Sequence, residues 1–520
     1  MAWRVQDGKG HLVRLSSLHP VLVCLLGVLL LGTVGTSGCA TENPGVTPSR
    51  DTFYFPTGLA MDPRRPVLYV TNSNADLRYN GGTLMALDLR ALPADLSQVG
   101  ALTESKRLDC RPDRVESSRW ECPEAQFVQA GATLRIGDFP SEVRVTSDGE
   151  RLFVPVRGQN YLLWARITEL AGGGVDLRCD DSPDTGCGQA GKTDCPAWDC
   201  AAPYRVKFSD RLQRDLATEP FGIYVNELAA VHIDAKGGRR TCRDGGTAMS
   251  CTCGAAARRC DPNAATPRDC CLEAPPLNHV YLAHLAGGEV SYFASTPSGV
   301  EFRDQVGGFF TSSGSVRGGF NLAATVPGDA GSPVLVSSRV DSVLGSFVIR
   351  GDLDIVPTPR QGLGVAAPGN DLRGVAVGPG GTQLFVVNRA PPSLIALERN
   401  ERLPDRPFEP LWEVEVCSEP SLLRLGADPA RPGDPTARLA FVVCFRDAEI
   451  FVVDVGLGKL VGRIPTGRGP NALELDPARR RAFIANFADN TVGVIDLDPS
   501  HRTYLQMMLR IGLVRRIVEK

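Results

Sequence analysis

Residues 469–499 read GPNALELDPARRRAFIANFADNTVGVIDLDP and contain three short apolar runs separated by turn signals. The first run is 471–475, the second is 482–486, and the third, rich in β-branched residues, is 491–497. An Asp-Pro pair and a basic turn separate the first two runs, and Ala-Asp-Asn separates the last two. Turn signals at this spacing predict three antiparallel strands of one sheet.

The same three-strand unit recurs along the chain, and its second strand marks each copy. Seven copies of this second strand are LYVTN at 68–72, LFVPV at 152–156, VYLAH at 280–284, VLVSS at 334–338, LFVVN at 384–388, AFVVC at 440–444 and AFIAN at 482–486. A unit this small cannot bury both faces of its sheet alone, so the copies must stack on one another.

These units resemble the YVTN-type β-propeller repeat, most closely at LYVTN and the strand that follows it at 83–89. The resemblance covers about residues 55–511 and implies an all-β fold, a seven-bladed β-propeller within 51–520. Stacking the blades in a ring buries both sheet faces. To close the ring, residues 51–55 are expected to pair beside 504–511 in the last blade. Either of these two segments can be the outermost strand. The resemblance is weak evidence for any particular activity, because β-propellers have many different functions.

The first three blades are longer than the others. Pro420 and Pro470, at equivalent positions, are 50 residues apart, whereas Pro56 and Pro140 are 84 apart. Cys-rich loop insertions in blades 1–3 are therefore predicted at about 90–132, 168–203 and 227–278. Their composition of Gly, Asp, Arg and Cys predicts loops that depend on disulfides rather than on an apolar core.

The N-terminus has the pattern of an export signal. Arg4, Lys9 and Arg14 form a basic region, and 21–31 is an apolar segment too short for a confident membrane helix. Thr-Ser-Gly then leads to Cys39, which resembles a bacterial lipobox although Thr36 stands where that family usually has Leu. The resemblance implies a lipoprotein signal peptide at 1–38 and lipidation of Cys39. An ordinary secretory signal is the alternative.

The residues after Cys39 suggest where the protein is located. Ala40, rather than Asp, follows the cysteine, which in lipoproteins implies the outer membrane. Residues 39–50 have the low complexity of a tether. The expected location is the cell outer membrane, lipid-anchored, on its periplasmic side or at the cell surface.

The cysteines also indicate an oxidising compartment. Excluding Cys24 and Cys39, they fall into four groups, each with an even number of members: Cys110 and Cys122; Cys179, Cys187, Cys195 and Cys200; Cys242, Cys251, Cys253, Cys260, Cys270 and Cys271; Cys417 and Cys444. Even groups predict disulfides closed within each group. The two groups with two members each allow a single disulfide, Cys110–Cys122 and Cys417–Cys444. The larger groups allow more than one pairing. A metal site at Cys251, Cys253, Cys260 and Cys270 is the alternative.

The sequence contains no nucleophile elbow, phosphate loop or HExxH motif, so no catalytic residue, cofactor or metal is predicted. His232, His279 and His284 share the third blade, and an acidic run covers 180–184. A metal site there is conceivable, but backbone-bonded histidines and a solvated loop are favoured. Asn72, Asn388 and Asn486 are interpreted as turn-forming ends of second strands.

The net charge of −3, with both signs mixed, predicts no nucleic-acid partner. The favoured function is a monomeric, lipid-anchored cell-envelope propeller that acts as a binding or scaffold module for a protein or an envelope polymer. The alternative is a propeller enzyme of the lactonase or quinoprotein-dehydrogenase type. The three insertions are predicted to project from one face, where they would merge into a crosslinked cap that forms the partner surface.

Overall fold

The computed structural model describes residues 46–514, except for several internal segments. The omitted segments are 115, 180–204, 208–227, 237–239, 245–246, 251–257, 260–269, 274–276, 286, 311–317, 327–330, 352, 364–370, 401, 404–406, 435 and 437. Within the described residues, no helix has the length and apolar character needed to cross a membrane.

Almost all regular structure in the described residues is β-strand. Strands β1–β19 are Pro56–Met61, Val67–Asn72, Gly82–Asp88, Arg111–Pro112, Trp120–Cys122, Val128–Ile136, Arg144–Val145, Arg151–Val156, Tyr161–Glu169, Val175–Arg178, Arg205–Lys207, Leu228–Lys236, Arg240–Asp244, Thr247–Ser250, Arg258–Arg259, Cys270–Glu273, Leu277–His284, Val290–Thr296 and Gly299–Val306. Strands β20–β36 are Gly319–Ala324, Val334–Ser338, Val343–Arg350, Asp354–Pro357, Gln361–Gly362, Leu372–Val377, Gln383–Arg389, Pro392–Arg399, Phe408–Glu415, Pro420–Ala427, Arg438–Cys444, Glu449–Asp454, Lys459–Pro465, Pro470–Asp476, Arg481–Asn486, Thr491–Asp496 and Gln506–Ile511. Helix α1 is Val99–Glu104, and the short 3-10 helices are Leu89–Ala91, Leu96–Gln98, Glu124–Gln126, Pro379–Gly381, Pro477–Arg479 and Phe487–Asp489.

The strands form seven blades, which confirms the seven-bladed β-propeller. From the inner strand outward, the blades are β1-β2-β3-β6, β7-β8-β9 with β10 and β11, β12-β17-β18-β19, β20-β21-β22 with β23 and β24, β25-β26-β27-β28, β29-β30-β31-β32 and β33-β34-β35-β36. Neighbouring strands within these seven blades are antiparallel. A further small sheet, β14-β13-β16-β15, belongs to the insertion of blade 3.

Each blade is held by alternating side chains that pack on opposite neighbours. In β34, Phe483 and Ala485 join a core cluster with residues of blade 1, whereas Ala482 and Ile484 join a cluster with blade 6. All six residues of β34 are buried. A blade therefore depends on both neighbours, and truncating a ring such as Phe483 costs roughly 3–5 kcal/mol.

Ring closure differs from the sequence prediction. Residues 51–55 form no strand, and β36 is the fourth strand of blade 7. The insertion of blade 1 instead crosses to blade 7, where β5 pairs in parallel with β36 and β4 pairs with β5. The Gly512 amide donates to the Cys122 carbonyl at 2.8 Å and extends this contact.

The same insertion is not a polar loop, and the predicted lack of an apolar core was wrong for it. Leu89, Leu92, Leu96, Val99 and Leu108 are buried in one cluster with residues of blades 1 and 7. These apolar residues are spread over 89–108 among polar ones, so the composition of the insertion did not indicate a core. The insertion of blade 1 therefore packs between two blades and takes no part in a cap.

The structure also changes the predicted bounds of the other two insertions. In blade 2, β10 pairs with one half of β9 and β11 with the other, so the insertion interrupts the fourth strand instead of preceding it. In blade 3, the inner strand is β12 at Leu228–Lys236, inside the range assigned to the insertion. The sequence pattern predicts this strand at the similar run 221–225, which lies outside the described residues. The insertion then joins the first and second strands, as expected, and most of both insertions lies outside the described residues.

Candidate functional site

The inner strands of the blades surround a central channel, and the described part of the molecule has a cavity at the end where those strands begin. This end is called the mouth here. The cavity has a volume of about 350 Å³ and reaches from the mouth toward the charged residues deeper in the channel. The inner strands supply part of its lining. The rest comes from the loops that enter inner strands and from those that join second to third strands: Ser73, Phe139, Ser141, Arg157, Leu285, Phe445 and Phe487.

Small residues in blade 1 let side chains from its two neighbours meet inside the channel. A Cβ on Gly58 would lie 2.9 Å from backbone atoms of Glu142 and Val143, so only glycine fits this close approach. Ala60 follows two residues later on β1. Because blade 1 presents no long side chain here, Arg144 of blade 2 extends to within 3.7 Å of Glu474 in blade 7.

Four charged residues form the floor of the cavity, and two of them, Glu142 and Arg424, line it directly. Glu142 pairs with Arg144 and lies 3.5 Å from an Arg424 nitrogen, and Glu474 lies 3.8 Å from the Arg424 Nε. The Arg424 Nε also donates to the Leu473 carbonyl at 3.1 Å. Two arginines and two glutamates therefore balance one another, and the quartet has no net charge when all four are ionised.

Burial governs the ionisation of the floor. Burial, followed by the positive charge of Arg144, lowers the pKa of Arg424 to about 10. Burial also raises the pKa of Glu474, against the opposing effect of both arginines. His232 lies on the same channel wall, and burial, followed by the charges of Arg144 and Arg424, lowers its pKa to about 4. His232 is therefore neutral near pH 7.

Aromatic rings surround the mouth. Phe139 and Phe445 are 37% and 38% exposed, which is unusual for side chains of this size. The Phe445 and Phe487 ring centroids are 6.4 Å apart, and Phe487 lies 5.1 Å from Phe55. Phe139 has a backbone φ of 54°, a left-handed conformation that costs a non-glycine residue roughly 1 kcal/mol or more. The chain therefore holds an apolar ring at the mouth against a conformational preference.

A basic cluster adjoins the cavity beside Phe320. The Arg373 guanidinium lies 4.8 Å from the Phe320 ring centroid and 2.6 Å from Asp371. The Arg339 guanidinium also lies near both groups, 5.8 Å from the Phe320 ring centroid and 3.8 Å from the Asp371 carboxylate. Arg389 bridges Asp371 and Glu419. Burial lowers the pKa of Arg373, so this arginine is desolvated as well as paired.

The residues singled out from the sequence have mainly structural roles. Asn72 donates to Thr83 at 2.9 Å and Asn486 to Thr491 at 3.1 Å, each linking a second strand to the third. His284 makes the equivalent bond to Ser291 at 2.8 Å. Asn388 instead donates to the Pro391 carbonyl. Of the three histidines of blade 3, only His232 adjoins the channel floor.

The cysteines divide between described and undescribed segments. The structure contains the predicted Cys110–Cys122 and Cys417–Cys444 disulfides, and Cys179 is disulfide-bonded. Cys242, Cys270 and Cys271 are described only as backbone positions of β13 and β16. The remaining candidates lie outside the described residues: Cys39, Cys187, Cys195, Cys200, Cys251, Cys253 and Cys260. Among described residues, no cluster of three or more His, Cys, Asp or Glu could hold a metal ion.

Sequence reasoning missed the channel residues Glu142, Arg144, Arg424 and Glu474, together with the rings at the mouth. A signal for the floor was present. Aligning the inner strands places Arg144, His232, Arg424 and Glu474 at one repeat position, where other blades have alanine. Polar residues at a repeat position that is alanine in three other blades mark the channel floor.

No protein-family model matches the chain, and no curated protein does. Solved propeller structures resemble it in fold. A protein from Lactobacillus plantarum is 12% identical over 82% of this chain and 89% of its own, with a TM-score of 0.47. The periplasmic gluconolactonase of Pseudomonas aeruginosa is 12% identical over 78% and 84%, with a TM-score of 0.42. Virginiamycin B lyase from Staphylococcus aureus is 10% identical over 85% and 94%, with a TM-score of 0.41. At these identities, the likeness concerns the fold alone.

Proposed function

We propose that the protein is a lipid-anchored binding module of the cell envelope, and that an envelope polymer enters the mouth of its central channel. One observation carries this proposal. The cavity combines exposed phenylalanine rings with polar side chains above a floor whose charges pair with one another. Concave sites with apolar walls and a few convergent polar groups are typical of ligand binding.

The channel is better suited to binding than to catalysis. A general acid or base must exchange a proton with a substrate that lies within hydrogen-bonding distance. Glu142 is held by Arg144 and Arg424, and its second oxygen accepts from the Val231 amide at 3.3 Å. The enzyme alternative depends on Glu474, whose raised pKa would suit a proton donor. Glu474 lies beneath the cavity lining, however, which argues for a structural role.

This proposal moves the partner surface away from the insertions. Ala229 and Ala230, near the start of β12, line the cavity, whereas the insertion of blade 3 follows Lys236 at the other end of the same strand. About six residues of extended chain separate the two, or roughly 20 Å. We therefore assign binding to the mouth, with the insertion of blade 3 as a decoration at the opposite end of β12.

Cosedimentation with purified peptidoglycan sacculi tests the proposal. The double variant Phe139→Gly, Phe445→Ala removes two rings, and glycine accepts the left-handed backbone at 139 without strain. We expect the variant to sediment at least tenfold less efficiently than the wild type. The control is Leu460→Ala, Val461→Ala, which removes exposed apolar side chains from β32 on the outer strand of blade 6.

Three results would count against the proposal. Equal sedimentation of the wild type and the mouth variant would exclude the cavity as the site. Absence of wild-type binding, together with crosslinking of the protein to an envelope protein, would make a protein the partner. A metal or cofactor found by native mass spectrometry would favour the enzyme alternative.

A further inference from the structure

We infer that the cavity binds an uncharged sugar ring, and that the Ser73 hydroxyl forms the hydrogen bond that orients this ring. The inference rests on the proposed function and names the chemical class of its ligand. It concerns the sugar units of the polymer rather than any acidic group or peptide that the polymer carries.

The charges of the lining favour an uncharged ligand. Glu142 and Arg424 line the cavity, and both are compensated within the four charged residues of the floor. Arg157, the other charged residue of the lining, also interacts within the protein. An ionised ligand group would lose its hydration here without gaining an unpaired partner, which costs free energy. A neutral ligand avoids that cost.

Ser73 is a lining residue whose hydrogen-bonding group is left over. Its side chain is 2% exposed, and its hydroxyl has no hydrogen-bond partner within the part of the chain that the structure describes. By contrast, the hydroxyls of Ser141 and Ser421 donate to backbone carbonyls at 3.4 and 3.2 Å. Buried hydroxyls normally have a partner, so we expect the ligand to supply one for Ser73.

The backbone holds this hydroxyl among the aromatic residues of the mouth. The Ser73 carbonyl accepts from the Phe139 amide at 2.8 Å, and the Ser73 amide donates to the Phe55 carbonyl at 3.0 Å. Phe55 packs on Phe487, which lines the cavity together with Phe139. A sugar ring has a less polar face that packs on aromatic side chains, and hydroxyls that both donate and accept. It therefore matches a buried hydroxyl beside phenylalanine rings, whereas a purely apolar ligand would leave Ser73 without a partner.

Calorimetric titration of the full chain in detergent at pH 7 tests the inference with three trisaccharides. Chitotriose and maltotriose are neutral, and trigalacturonate is anionic. We expect at least one neutral trisaccharide to bind at least tenfold more tightly than trigalacturonate. Ser73→Ala should weaken that binding by roughly three- to tenfold, the usual effect of losing one hydrogen bond between uncharged groups.

The matched control is Ser421→Ala. This variant loses a hydroxyl from the same cavity lining, but that hydroxyl already bonds to the Val443 carbonyl. We expect its affinity for the neutral trisaccharide to stay within about twofold of the wild type, because the ligand does not depend on this group. Melting temperatures of both variants establish that each one is folded.

The outcomes separate this inference from the proposed function. Binding of trigalacturonate as tight as that of the neutral trisaccharides overturns the inference. Wild-type affinity in Ser73→Ala, or an equal loss in Ser421→Ala, overturns the role of Ser73, whose hydroxyl would then bond to water. If sacculi bind while none of the three trisaccharides does, the inference is wrong and the proposed function stands. If sacculi do not bind either, the proposed function fails.

Discussion

At the scale of single residues, the repeat explains why a histidine can occupy an asparagine position. His284, Asn72 and Asn486 each end a second strand and bond to a hydroxyl residue of the third strand. The position needs a polar group that reaches across two strands, and imidazole meets that need. The difference is that imidazole titrates. Burial lowers the pKa of His284 to about 3, so it stays neutral in the folded protein.

The presence of His284 at this position predicts that the stability of the protein depends on pH. The folded pKa of His284 lies below the unfolded value near 6.5, so the unfolded chain binds more protons between those values. Its contribution therefore lowers the unfolding free energy as pH falls below about 6.5, by up to ~1.4 kcal/mol per pH unit. The pKa of His232 is also lowered, so His232 changes the unfolding free energy with pH in the same direction. We expect His284→Asn to flatten the slope measured by urea unfolding between pH 7 and pH 4.5.

The control for that measurement is His501→Asn. The bond from His501 to Asp496 raises the pKa of His501, so its contribution has the opposite sign. That contribution is fully present below the unfolded pKa and is lost as pH rises through the folded pKa. Removing His501 should therefore not flatten the acid slope. Identical slopes for the wild type and His284→Asn would refute the assignment of the acid sensitivity to His284.

At the scale of elements, the strands were predictable and their long-range partners were not. Each second strand is a local apolar run, and all seven lie where the pattern predicts them. By contrast, β5 has three residues and pairs with β36 nearly 400 positions later, so no local periodicity indicates it. The channel floor was missed for a related reason. Its residues come from blades 2, 6 and 7, and only the closed ring brings blade 7 beside blade 1.

The insertion of blade 1 is expected to stabilise the closed ring. Asp113 accepts from Arg510 at 2.8 Å with both side chains nearly buried, and Cys110–Cys122 closes the β4–β5 hairpin. Cys110→Ser, Cys122→Ser should lower the unfolding free energy by roughly 2–4 kcal/mol, because a disulfide restricts the unfolded chain. Guanidinium unfolding under non-reducing conditions measures this. A change below about 1 kcal/mol would count against the insertion as a ring-closing element.

The insertion of blade 3 is expected to be dispensable for folding. Lys236 on β12 and Leu277 on β17 are direct partners in the ladder, so a two-residue turn can join them. Replacing 237–276 by Asn-Gly, a favoured hairpin turn, should keep the circular dichroism spectrum and a cooperative thermal transition. Sacculus binding should persist, since the mouth lies at the other end of the strand. Loss of binding with an intact fold would return the partner surface to the insertion.

At the scale of the whole molecule, the ring is closed without an N-terminal strand in blade 7. All four strands of that blade follow one another at the C-terminal end, and the edge is covered by chain from blade 1. Residues 51–55 are thus not a strand of any blade, although Phe53 is buried in the core between blades 1 and 7. Residues 46–50 lead into the ring beside Tyr79, since the Asn80 amide donates to the Val46 carbonyl. The tethering role of residues 39–50 stays a prediction from the sequence.

That role leads to a prediction about the protein in the cell. If Cys39 carries a lipid, Cys39→Ser should release most of the protein from the membrane fraction and remove the acyl mass from the mature chain. The matched control is Cys24→Ser, which lies within the apolar segment of the predicted signal and should leave both the anchor and the mass unchanged. Cell fractionation and intact-mass spectrometry provide the two readouts. A Cys39→Ser protein that stays equally membrane-bound with an unaltered mass would exclude lipidation, and attachment to the envelope would then depend on the channel mouth alone.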